Sequence, residues 1–164
     1  MNVEIDNGPF ADGFENKLRL TITGNFQDAG IAEIHFAGHD SEFVVLPKTE
    51  WGALAVLAAA KLKSPMSVGS FLTANQLAMQ LAKRDVIDLI DAQSATRIVH
   101  RLRKRLNQTA TAQHLRNLAT DEIDSIAYRL VRHRTNLGYS LGLDAANVSL
   151  TIVQREQPAD TNFS

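Results

Sequence analysis

Residues 95–106 read Ala95-Thr-Arg-Ile-Val-His-Arg-Leu-Arg-Lys-Arg-Leu106, an apolar series and a basic series wound into one segment. Ala95, Ile98, Val99, Leu102 and Leu106 recur at helical intervals, so they share one stripe, which is predicted to pack on a core. Arg97, Arg101, Lys104 and Arg105 recur on the side away from that stripe, with His100 and Arg103 between them and no acid in the run. Ser94 is the expected N-cap, and the helix is predicted over 94–106. Five Lys and Arg in the nine residues 97–105, opposite a packing face, offer groups that can bond two acceptors on one guanine or bridge phosphates.

Upstream of this helix the pattern changes period. Leu18, Leu20 and Ile22 alternate with Arg19 and Thr21, Ile34 and Phe36 flank His35, and Phe43 to Leu46 is a third extended run, so a sheet is predicted first. The third run stops at Pro47, whose fixed φ and missing N–H suit a helix entry. Trp51, Leu54, Leu57 and Ala58 then keep helical spacing to near Lys63. Thr73 with Gln76 is a capping-box pattern opening a second helix faced by Leu77, Leu81 and Ala82. A shorter helical turn is expected at Val86, Leu89 and Ile90. Beyond residue 106, a polar segment has a helical pattern around Leu115 and Leu118. Ile126, Tyr128 and Leu130, then Tyr139, Leu141 and Leu143, alternate about Asn136 and Gly138, which predicts a hairpin over 126–143. Val148, Leu150 and Ile152 predict one more strand, and 154–164 reads as a tail.

Strands, three helices and a hairpin in this order predict an α+β fold, a winged helix-turn-helix with an N-terminal antiparallel β-sheet and a C-terminal β-hairpin wing. The expected division is 1–46 for the sheet element, 47–153 for the winged-helix domain and 154–164 for the tail. The 164 residues carry 17 Lys and Arg against 18 Asp and Glu, a formal charge of −1. By segment the balance is uneven. Residues 1–93 hold seven cations and twelve acids, net −5, residues 94–135 hold nine and three, net +6, and residues 136–164 hold one and three, net −2. The basic excess falls on the third helix and the first hairpin strand, the elements that a winged helix presents to a duplex.

Three stretches resemble the DNA-binding domain of OmpR/PhoB-type response regulators, a winged helix with an N-terminal sheet. Phe43-Val-Val-Leu-Pro-Lys-Thr-Glu-Trp-Gly-Ala-Leu-Ala-Val-Leu-Ala58 is similar to the family's strand and leucine-rich first helix. Glu50 and Trp51 match its Glu-aromatic pair, and Pro47 stands where it has a capping Thr. Residues 95–106 resemble its recognition helix, and Leu137-Gly-Tyr-Ser-Leu141 its wing-closing Gly-Tyr-Arg-Leu. The resemblance implies that His100, Arg101 and Lys104 face the major groove or its phosphates, with Thr96 near the helix start. Thr135 and Asn136 occupy the wing's expected Arg and Gly positions, and Arg132 and Arg134 substitute for the basic wing residue. The connection 107–125 is longer than the family's, and the N-terminal part is too short for a receiver domain, so control by phosphorylation is not expected.

The chain has no cysteine, which excludes disulfides, thiolate metal sites and cysteine nucleophiles. No apolar run is long enough for a membrane span. The start carries acids rather than a basic region and an apolar stretch, so no secretory signal is read and a cytoplasmic location is expected. His35 and His39 are not placed as a ligand pair on a strand and loop. Asp85, Asp88 and Asp91 suit the start of a short helix, and Trp51 and Tyr139 sit where the apolar period needs core anchors. No catalytic constellation and no cofactor motif is found, so no enzyme is expected. The function expected is sequence-specific double-stranded DNA binding by a transcriptional regulator, through Thr96, Arg97, His100, Arg101, Arg103, Lys104 and Arg105 on the helix and Arg132 and Arg134 on the wing. The alternative is a winged-helix adaptor or assembly subunit, whose basic helix meets an acidic protein. A second copy of the chain or a protein is the further partner expected, and no membrane.

Overall fold

The computed structural model describes residues 17–65, 68–88, 90–113, 127 and 130–153. Three strands come first: β1 (Leu18–Gly24), β2 (Gly30–Phe36) and β3 (Glu42–Leu46). Three helices follow: α1 (Lys48–Lys63), α2 (Ala74–Lys83) and α3 (Ala92–Asn107). The hairpin is β4 (Val131–Arg134) with β5 (Gly138–Leu141), and β6 (Val148–Ile152) ends the described chain. The fold is α+β, as the sequence pattern predicts.

The sheet is not made from the N-terminal strands alone. Its order is β3-β2-β1-β6, with antiparallel pairs except that β6 runs parallel to β1, Leu20 facing Val148 and Gly24 facing Ile152. The sheet expected from residues 1–46 therefore takes its fourth strand from 148–152, and one core joins both stretches. Leu18, Leu20 and Ile22 of β1 and Ala32 and Ile34 of β2 point to that core with no more than 1% exposure. The alternation legible in the sequence is this inward face.

α1 lies between the sheet and the rest of the molecule. Glu50 through Ala58 are buried without a break, because the helix touches the sheet on one side and α2, α3 and β5 on the others. A helix enclosed all round needs apolar residues all round, and alanines let its neighbours approach closely. Trp51, fully buried, lies over Gly24 and Gly30, which face each other across β1 and β2. A Cβ at Gly30 would stand 2.6 Å from the indole Cε2. Phe26 meets the same indole edge-on at 5.3 Å. Gly30→Ala should destabilise the fold by about 1–3 kcal/mol through this overlap, readable as a lower urea midpoint with unchanged slope; a midpoint equal to the parent's would mean that the indole can move aside.

Three local expectations need correction. The helical turn expected at Val86, Leu89 and Ile90 is absent among the described residues of 84–91, where Asp85 adopts φ +60°. Leu89 lies outside the described residues. α3 starts at Ala92 rather than at Ser94, because Asp91 is the N-cap: its carboxylate accepts from the Gln93 N–H at 3.1 Å and from the Ser94 hydroxyl at 2.9 Å. The hairpin is shorter than the expected 126–143. Ala127 and Leu130 are helical and buried, and with Val131 they follow helical spacing, which competes with the alternation of Ile126, Tyr128 and Leu130. Ile126, Tyr128, Leu115, Leu118 and the tail lie outside the described residues.

The hairpin has the predicted turn chemistry, with Asn136 at φ +73° and Gly138 at φ +103°. Leu72, between α1 and α2, adds a third strand-like partner. Its N–H donates to the Tyr139 carbonyl and its carbonyl accepts from the Tyr139 N–H, both at 2.8 Å. The capping box of α2 forms as expected, Thr73 Oγ1 accepting from the Gln76 N–H and Gln76 Oε1 from the Thr73 N–H.

Candidate nucleic-acid interface

α3 buries the stripe that its sequence marks. Ala95, Ile98, Val99, Leu102 and Leu106 are at most 2% exposed, each contributing on the order of 1–3 kcal/mol of burial. The opposite side carries Thr96, Arg97, His100, Arg101, Lys104 and Arg105, all exposed. Arg132, His133 and Arg134 of β4 are exposed too. Helix and hairpin meet at a cleft of about 300 Å³ bordered by Thr96, Thr73, His133, Asn136 and Tyr139. Two basic elements therefore flank one hollow.

Arg103 departs from the expected set. Its Nε and Nη2 donate to the Val131 carbonyl at 3.1 and 2.6 Å, and its guanidinium lies over the Tyr139 ring at 5.6 Å. The ring also meets His133 at 5.0 Å. Arg103 thus ties α3 to the hairpin. In the sequence it is one cation among five, and only its position toward the hairpin distinguishes it.

Arg101 is also held, in a different manner. Its Nε donates to Glu50 Oε2 at 3.0 Å, while Glu50 Oε1 accepts from the Thr49 hydroxyl at 2.6 Å. The Glu50 side chain is 4% exposed and the Arg101 side chain 50%. Burial pushes the Glu50 carboxyl up, but the Thr49 hydroxyl and the Arg101 guanidinium outweigh it and hold the group below its ordinary range. The sequence marks Glu50 only as half of a Glu-aromatic pair, and its partner 51 positions away is a tertiary fact. Arg97 contacts Gln93 Oε1 at 3.3 Å, one turn back on its own helix.

The start of the long connection is held to the sheet. Residues 110–113 are helical, and Glu42 of β3 caps them. Its carboxylate accepts from the Ala110 N–H at 2.7 Å and from the Thr111 N–H and hydroxyl at 2.8 Å. Burial raises this carboxyl and the three hydrogen bonds lower it, with a net shift downward. A group lowered on folding stabilises fully above its ordinary pKa and loses that contribution as pH falls through its folded value. Glu42→Gln should therefore cost about 1 kcal/mol at neutral pH and flatten the acid limb of the stability curve; an acid limb parallel to the parent's would sink this account.

Among the described residues, no group of three or more His, Asp and Glu is placed to hold a metal ion, and no helix is long and apolar enough to cross a membrane. Comparison of the chain with protein-family models, with curated proteins and with solved structures finds no match.

Proposed function

We propose that the protein is a sequence-specific double-stranded DNA-binding protein, a transcriptional regulator of winged-helix type, which lays α3 in the major groove and the hairpin along the backbone. The observation that carries this reading is that one face of α3 is buried while the other exposes Arg97, His100, Arg101, Lys104 and Arg105 beside Arg132 and Arg134. A helix of this width fits the major groove, and cations on two elements across a hollow suit base edges and flanking phosphates. The Leu72 pairing with the hairpin, the capped α2 and the OmpR/PhoB-like motifs support the same assignment. Selection from a random duplex library at low salt, followed by fluorescence anisotropy, tests it. A common site should emerge, and failure to retain any duplex would refute the proposal.

One observation favours the adaptor reading. Ile31, Phe43 and Val45 lie on the outer side of the sheet, with Phe43 65% and Val45 66% exposed, and Ile31 faces Val45 across β2 and β3. Apolar residues gathered at a sheet edge suit contact with another protein. On that reading a protein partner covers this sheet edge while its acidic surface meets α3, and excess random duplex does not displace it.

A further inference from the structure

We propose that Arg101 is the residue that reads a guanine, and that the buried Glu50 carboxylate is the positioning group that aims it; this rests on the duplex-binding reading above. The cations of the exposed side are not equivalent. The side chains of Lys104, Arg105, Arg132 and Arg134 make no hydrogen bond or ion pair among the described residues, and that of Arg97 has only its contact to the exposed Gln93. Long side chains of this kind lose rotamer freedom on binding and suit phosphate attraction. Arg103 is committed to Val131 and Tyr139.

Arg101 alone combines a fixed base with a free end. Glu50 takes the Nε–H, and both terminal nitrogens make no bond among the described residues. Those two nitrogens are the fork that matches O6 and N7 of guanine. Glu50 is itself fixed by the Thr49 hydroxyl and by burial in α1, so the direction of the fork is set by the core rather than by solvent. A group held in its productive direction before binding discriminates better than one ordered on contact.

The test compares the selected duplex, its variants with each guanine replaced in turn, and an unrelated duplex of equal length, at one salt concentration. Arg101→Lys, which keeps the charge and loses the fork, should reduce the preference for the selected duplex over the unrelated one by about tenfold. The loss should fall on one guanine position. Glu50→Gln should flatten the same position, and the double variant should be no worse than Arg101→Lys alone, since both act through one contact. A structural role for Glu50 would instead lower affinity for all duplexes in step with stability and add to the Arg101→Lys effect. Unchanged guanine preference in Glu50→Gln, or additive losses, overturns the inference while duplex binding by the parent chain stands. If Glu50→Gln does not fold, Thr49→Val, which frees Glu50 Oε1, should weaken the same guanine preference, and full preference in that variant overturns the positioning role. A parent chain that selects no duplex overturns both readings.

Discussion

Between about 50 and 200 mM salt, affinity for the selected duplex should fall by about five hundredfold, as expected when roughly five phosphates are neutralised. The number follows from the surface. Of the basic residues on α3 and β4, Arg97, Lys104, Arg105, Arg132 and Arg134 are exposed and left for phosphates, while Arg101 is held by Glu50 and aimed at a base and Arg103 is turned to the hairpin. Each exposed cation removed should lower the salt slope by about one. Lys104→Ala should show this without loss of stability. Arg103→Ala should leave the slope nearly unchanged and lower the thermal midpoint, because it frees the Val131 carbonyl and the hairpin. A slope near zero for the parent chain would exclude a phosphate-based interface.

Gly138→Ala should destabilise the fold by about 3 kcal/mol or more, a lowering of roughly 10 °C in Tm for a chain of this size. Two costs coincide there. The backbone adopts φ +103°, and a Cβ would lie 2.6 Å from Thr73 Cα and closer still to the Leu72 carbonyl oxygen. That overlap would break the Leu72–Tyr139 pairing that ties the hairpin to the helices. Gly38 is the control: its φ is +87°, yet a Cβ there would meet nothing within 4 Å. Gly38→Ala should cost only about 1 kcal/mol, the conformational part. Equal costs at the two sites would show that the close approach contributes nothing.

The elements whose period is unambiguous were legible in the sequence. β1 and β2 alternate strictly, and the buried stripe of α3 is the stripe that its spacing marks. Misreadings fell where two local rules compete. Ser94 and Asp91 are both good caps, and the carboxylate wins by accepting from Gln93 and from Ser94 itself. Ala127, Leu130 and Val131 fit a helix as well as a strand, and the residues that alternate there overlap with those that recur. Partner choice across long separations leaves no local trace. Nothing in Val148–Ile152 says that it pairs with β1, and nothing in α1 says that Glu50 meets Arg101. For the same reason the basic run is legible as a whole, but its division into a tether, an aimed guanidinium and loose cations is not.

The parallel pairing of β6 with β1 has a consequence for the order in which the molecule is made. Asn25 Nδ2 donates to the Val153 carbonyl across 128 positions, so the sheet closes on contacts that span most of the chain. Loops of that length are slow to close, and domains rich in such contacts fold late. A nascent chain leaves the ribosome N-terminus first. β1, β2 and β3 can pair early in that process, but one edge of β1 stays open until Val148–Ile152 emerges. For most of its synthesis the protein carries an unfinished sheet edge, and completing the basic helix, far from that edge in sequence, does not close it.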